Sequence, residues 1–114
     1  MEIEALIVQP KEDVLIRNLP CTLEVFEGVL GGSVSLMDLP YGYLLICKEN
    51  ENEVKQLNKV ILRRNIEDAF IVVKKDGETG SVIGVEEEKE LLVDIFSKEH
   101  IVEEDFDVLI NGLC

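Results

Sequence analysis

The sequence lacks the residues from which metal sites and disulfide frameworks are built. It has no tryptophan, one histidine (His100) and three cysteines, Cys21, Cys47 and Cys114. The cysteines are odd in number, irregularly spaced and without a Cys-x-x-Cys pair, whereas zinc sites and disulfide-stapled domains show regular pairs. We therefore expect free thiols, no metal and no cofactor.

Long apolar runs are also missing. The longest, such as Leu44–Cys47, have the length of a strand, whereas a membrane-spanning helix needs about 20 apolar residues. The first residues, Met1–Glu4, carry acids where a secretory signal would carry Lys or Arg. These features predict a protein of the cytoplasm that does not bind membranes.

No catalytic signature is present. The glycines at 31–32 and 77–84 have neither the phosphate-loop nor the dinucleotide-binding spacing. His100 has no Ser, Cys or carboxylate partner in a known arrangement. General acid–base catalysis needs two carboxyl groups in different environments, and a row of solvated Glu gives similar ones. The sequence therefore predicts a protein that is not an enzyme.

Negative charge is what the sequence has in excess. It holds 24 acidic and 11 basic residues, for a net charge of −13, and residues 86–107 contain ten of the acids. Such a field repels nucleic acid and attracts basic protein surfaces. We expect these acids to form a face that binds a basic protein; a purely solubilising surface and a mimic of DNA are the alternatives. The predicted face consists of Glu86, Glu87, Glu88, Glu90, Asp94, Glu103, Glu104 and Asp105.

A smaller basic cluster lies in the middle of the chain. If the segment is helical, a spacing of four places Lys55, Lys59 and Arg63 on one face. Arginine matches phosphate oxygens well, so an anionic nucleotide is an alternative ligand, unless these cations simply pair with the surplus acids. The candidate ligand-binding residues are Asn58, Lys59, Arg63 and Arg64, with Tyr41 or Tyr43 stacking on a ring.

The first half of the chain predicts two hairpins around a helix. Strands are expected at 3–8 and 14–17, and again at 33–37 and 43–47, the last one covered on both sides. Between the hairpins, Thr22 is a typical N-cap for a helix that ends at Gly31.

The second half is less regular. Residues 48–53 read as a polar turn, 57–62 as a helix or a strand, and 70–73 as a strand. An apolar stripe from Val85 to Phe96 predicts a second helix, and 101–113 a last strand or a docked extension. The prediction is a single domain over residues 1–114, with an acidic C-terminal helix and tail from about residue 85. Its class is α+β, a mainly antiparallel sheet of about five strands with two helices packed on one face.

The order of several segments resembles a small family known only as a domain of unknown function, common in bacteriophages and conjugative mobile elements. The resemblance implies a short accessory protein that works by binding. We therefore expect counter-defence by stoichiometric capture of a host defence protein in the bacterial cytoplasm, or sequestration of a nucleotide signal. Assembly into a homo-oligomer is left open. The matching segments are Ala5–Pro10, Thr22–Leu23, Leu30–Gly32, Leu39–Gly42, Leu44–Cys47, Leu57–Lys59 and Phe70–Val73.

Overall fold

The computed structural model describes residues 1–49 and 56–111, with side chains as far as Leu109. The strands are β1 (Glu2–Val8), β2 (Leu15–Pro20), β3 (Val34–Asp38), β4 (Tyr43–Lys48), β5 (Leu57–Ile61), β6 (Arg64–Glu67), β7 (Phe70–Lys75), β8 (Val82–Ile83) and β9 (His100–Ile101). The helices are α1 (Leu23–Leu30), α2 (Lys89–Phe96) and α3 (Val108–Asn111), with 3-10 turns at Pro40–Gly42 and Glu103–Asp107. Of the expected features, residues 50–53 of the polar turn, Lys55 and Cys114 lie outside the described residues.

The first half of the chain confirms the predicted hairpins and helix. β1 pairs with β2 and β3 with β4, both antiparallel. The Thr22 side chain accepts a hydrogen bond from the Val25 N–H at 3.3 Å, and Gly31 ends α1 with φ of 83°. A left-handed residue at a helix end favours glycine, which has no Cβ to clash.

The main sheet has the order β2-β1-β7-β4-β3, and β8 adds to β7, so that it contains six strands. β7 lies between β1 and β4 and is antiparallel to both. Its residues Phe70–Val73 are fully buried, because alternate side chains enter two separate cores. An unbroken apolar run is typical of a strand covered on both faces.

The two longer helices lie on opposite faces of this sheet, so the expectation that both pack on one face is wrong. Phe26 and Leu30 of α1 belong to one core, whereas Leu92 and Phe96 of α2 belong to the other. The reason is that the sheet is apolar on both faces and each face needs a cover. The expected number of about five strands is also too low.

The second cover includes a small sheet of order β6-β5-β9, in which β5 and β9 are parallel. The segment 57–62 is therefore a strand and a turn. The helix α2 begins at Lys89, later than its apolar stripe suggested, and the tail is a docked extension in which Phe106 is fully buried. Within the described residues, no helix is long and apolar enough to cross a bilayer.

At the β3 edge of the main sheet, the backbone groups of alternate residues point away from the sheet. Glu49 N–H donates to Ser33 O at 2.7 Å and Leu39 N–H to Tyr43 O at 2.8 Å, so the odd-numbered residues of β3 face β4. The N–H and C=O groups of Val34, Leu36 and Asp38 therefore point outward. The Leu36 side chain is 62% exposed.

Asn58 connects the two sheets. Its side-chain Nδ2 donates to the Val8 carbonyl at 2.9 Å and to the Asp68 carbonyl at 2.8 Å. Both acceptors are backbone oxygens, one at the end of β1 and one just before β7. The Asn58 amide thus links β5 of the small sheet to the main sheet by two hydrogen bonds.

Asn58→Asp should lower the free energy of unfolding by roughly 2–4 kcal/mol, because a carboxylate oxygen would face two carbonyls that lose their donors. Asn65→Asp makes the same charge change at an exposed position and should alter stability by less than about 0.5 kcal/mol. Urea unfolding of both variants checks the difference. Equal effects would show that the two hydrogen bonds of the Asn58 amide contribute nothing to stability.

Candidate functional site

Two acidic segments, the turn before α2 and the 3-10 turn Glu103–Asp107, lie close to the turn between β3 and β4. The Tyr41 hydroxyl donates to Asp107 Oδ1 at 2.7 Å. This hydrogen bond, followed by desolvation and the charges of Asp107 and Glu103, raises the pKa of Tyr41. Burial and the charges of Glu88 and Glu87 raise the pKa of Tyr43. Since these tyrosines are two residues apart, both acidic segments approach the same end of the sheet.

The α2 helix and the following 3-10 turn form one continuous layer there. The rings of Phe96 and Phe106 pack edge to face with centroids 6.1 Å apart. Lys98, just beyond α2, forms an ion pair with Asp105 in the 3-10 turn. Acids carried by these two elements are therefore held on neighbouring parts of one surface.

Three of the eight predicted binding acids serve the fold instead. Glu88 is only 6% exposed and pairs with Lys74 at 2.9 Å, because it sits in the turn before α2 and points towards the sheet. Glu86 accepts the N–H of Glu4 at 3.0 Å. Asp105 accepts the Val102 N–H at 2.9 Å besides its bond to Lys98. These three carboxylates are therefore already engaged within the fold, and their part in a partner-binding face stays a prediction.

The other five predicted acids are exposed and make no hydrogen bond or ion pair with any part of the chain that the structure describes. A free carboxylate on a rigid element can meet a partner without first breaking an internal bond. We call these five the acidic surface: Glu87, Glu90, Asp94, Glu103 and Glu104.

The basic residues do not converge. Asn58 and Lys59 line one groove, Arg63 lines a second with Glu103 and Glu104, and Arg64 lines a third with Asp38. The cause is the two-residue turn after β5, in which Leu62 and Arg63 have φ of 50° and 67°. The chain reverses there and separates side chains that a helix would have aligned.

Two of the proposed ligand contacts are excluded by the geometry. The Asn58 amide hydrogens are already used by the Val8 and Asp68 carbonyls, so they do not donate to a ligand. Tyr43 is 3% exposed, and the Lys74 ammonium lies 5.6 Å from its ring centroid. Tyr41 remains 44% exposed.

The two described cysteines are free thiols, as expected. Burial raises the pKa of Cys47 to about 11, which keeps this thiol protonated and unreactive at neutral pH. Cys21 Sγ donates to the Val82 carbonyl at 3.7 Å.

Sequence reasoning missed the residues that pair with Glu88, Glu4 and Asp107. The ion pairs Lys74–Glu88 and Lys89–Glu4 and the hydrogen bond Tyr41–Asp107 join residues 14, 85 and 66 positions apart. No periodicity within one segment identifies such pairs. Only the tertiary arrangement separates structural acids from free ones.

The two kinds of acid should differ in their effect on acid unfolding. The hydrogen bonds from Lys98 and Val102 lower the pKa of Asp105 below its ordinary value of 3.8. A lowered folded-state pKa adds stability above the unfolded-state value, and this stability is lost as the pH falls through the folded value. The stability difference between the parent and Asp105→Asn should therefore be full near pH 7 and shrink below about pH 4.

Unfolding in urea at several pH values measures this difference. Glu104→Gln is the matched control, since Glu104 is exposed and has no described partner. Its stability difference should stay small throughout. A flat difference for Asp105→Asn would contradict the structural role of that carboxylate.

Comparisons with protein-family models, with curated proteins and with solved structures find no match. The resemblance to the phage and mobile-element family therefore stays a prediction. Function has to be argued from the arrangement of the residues themselves.

Proposed function

We propose that this protein is a non-enzymatic binding module that captures a basic protein through its acidic surface. The observation that supports this most directly is a set of five exposed carboxylates, on α2, on the turn before it and on the 3-10 turn Glu103–Asp107, that have no hydrogen-bond or ion-pair partner among the described residues. Ion pairs occupy other acids, whereas none is described for these five.

The physical basis is electrostatic complementarity. A field of one sign speeds the encounter with an oppositely charged surface and suppresses wrong partners. Because exposed charges are screened by salt over about 8–10 Å at physiological ionic strength, the association should be fast and salt-sensitive. Tyr41, half exposed beside Asp107, adds an aromatic contact of the kind enriched in protein interfaces.

The biological setting we propose is counter-defence in a bacterial host. In that setting the chain occupies a host defence protein in stoichiometric amounts and performs no chemistry on it. The support is the resemblance to a phage and mobile-element family together with the negative field.

The nucleotide-sequestering alternative has less support. In one copy of the chain, Lys59, Arg63 and Arg64 line three different grooves. A nucleotide site made from all three would need residues from two copies.

Charge reversal tests the proposal. The protein is immobilised, exposed to a bacterial lysate, and the retained basic proteins are identified by mass spectrometry and then tested in purified form. Reversing Glu87 and Glu90 to Lys, or Glu103 and Glu104 to Lys, should weaken binding of the purified partner at least tenfold and flatten its salt dependence. The reason is that both changes remove attraction at the contact.

The control reverses Glu24 and Glu67, which are exposed and lie on α1 and β6. This variant has the same net charge as either test variant and should bind within about twofold of the parent. If it loses as much affinity as the others, binding follows net charge and the acidic surface is not the site. If none of the variants loses affinity, the proposal is wrong.

A further inference from the structure

A groove separate from those that Arg63 and Arg64 line is formed beside the C-terminal end of α2. Its volume is about 510 Å³, and it is bounded by the turn after β1, by β5 and by the segment that follows α2. Pockets that hold small molecules have volumes of about 300–1,000 Å³. Its charged and titratable lining residues are Lys11, Glu12, Asp13, Lys59, Glu99 and His100.

Lys59 is the unusual residue of this groove. It is 9% exposed, yet it forms no hydrogen bond or ion pair with any of the described residues. Burial lowers the pKa of its ammonium, and the charge of Glu99 raises it only in part. Its ammonium is not shut off from water, so the buried part is the aliphatic stem and the charged end opens into the groove, where an anionic group of a ligand can reach it.

Three other lysines have the carboxylate partner that Lys59 does not have among the described residues. Lys74 and Lys89 each have a carboxylate oxygen 2.9 Å away, and Lys98 pairs with Asp105. These three are all more exposed than Lys59. Among the lysines that the structure describes, Lys59 is thus the most buried, and no described carboxylate forms an ion pair with it.

Most of the charged residues that line the groove are acidic. Glu12, Asp13 and Glu99 outnumber Lys11 and Lys59. Three carboxylates would repel the phosphates of a nucleotide, and a purely cationic ligand such as a polyamine would leave Lys59 unpaired. A ligand that satisfies both sets of charges carries an anionic and a cationic group close together.

We propose that this groove binds a free α-amino acid, with the ligand carboxylate on Lys59 and the ligand ammonium facing the carboxylates of Glu12, Asp13 and Glu99. The floor of the site is held in place, since the neighbouring Asn58 is fixed by its two hydrogen bonds to backbone carbonyls. This activity is independent of the acidic surface.

Calorimetric titration of the purified protein with individual L-amino acids tests the proposal. At least one of them should bind, and Lys59→Met should weaken that binding about tenfold or more, because a hydrogen bond to a charged group contributes about 1.5–3 kcal/mol. The N-acetyl derivative of the same amino acid lacks the ammonium, and its amide lacks the carboxylate, so both should bind at least tenfold more weakly. Lys75→Met, at an exposed lysine outside the groove, should bind like the parent.

Stability supplies a second readout. Lys59→Met should unfold at the same or a higher urea concentration than the parent, since methionine fills the space of the buried stem and removes an unpaired charge. If this variant does not fold, Glu99→Gln takes its place and should weaken binding of the amino acid more than of its N-acetyl derivative.

Three results would overturn the proposal. One is the absence of heat with every amino acid at millimolar concentration. Another is equal affinity in the parent and Lys59→Met. The third is equal binding of the amino acid and its N-acetyl derivative, which would make the groove a plain carboxylate site.

Discussion

The placement of β7 between β1 and β4 determines the rest of the structure. Its four residues Phe70–Val73 are fully buried, and alternate side chains enter different cores. Each face of the main sheet therefore needs its own cover. One cover is α1; the other combines α2, the small sheet and the C-terminal 3-10 turn, and the segment 86–107, which holds ten of the acidic residues, runs through it.

The second cover separates structural acids from free ones. Glu88, Glu86 and Asp105 bind Lys74, a β1 amide and Lys98, and these contacts attach the cover to the sheet and to itself. Such exposed or half-exposed pairs contribute modestly to stability. Their larger effect is positional: they hold α2 and the 3-10 turn against the sheet and each other, while the remaining predicted carboxylates are exposed.

The sequence was most informative where one segment determines its own structure. The N-cap at Thr22, the glycine that ends α1 and the strand at Phe70–Val73 follow from local chemistry and periodicity, and all three are confirmed. The helix faces could not be predicted in the same way, because an apolar stripe does not specify which side of a sheet it covers. The basic residues lie apart for a related reason. Whether 57–62 is a helix or a strand is decided by its pairing with β6 and β9, which lie elsewhere in the chain.

The two borders of the main sheet have different capacities for further pairing. β3 presents outward backbone groups at Val34, Leu36 and Asp38 without a proline or a lysine among its residues. β2 carries Arg17 and ends at Pro20, which has no N–H to donate, and such residues are the usual protection of a sheet border. Growth of the sheet is thus favoured on one side only. Two copies joined through β3 would be related by a two-fold axis and would leave only the β2 borders of the main sheet exposed, so pairing through this sheet would close at a dimer and would not extend into a filament.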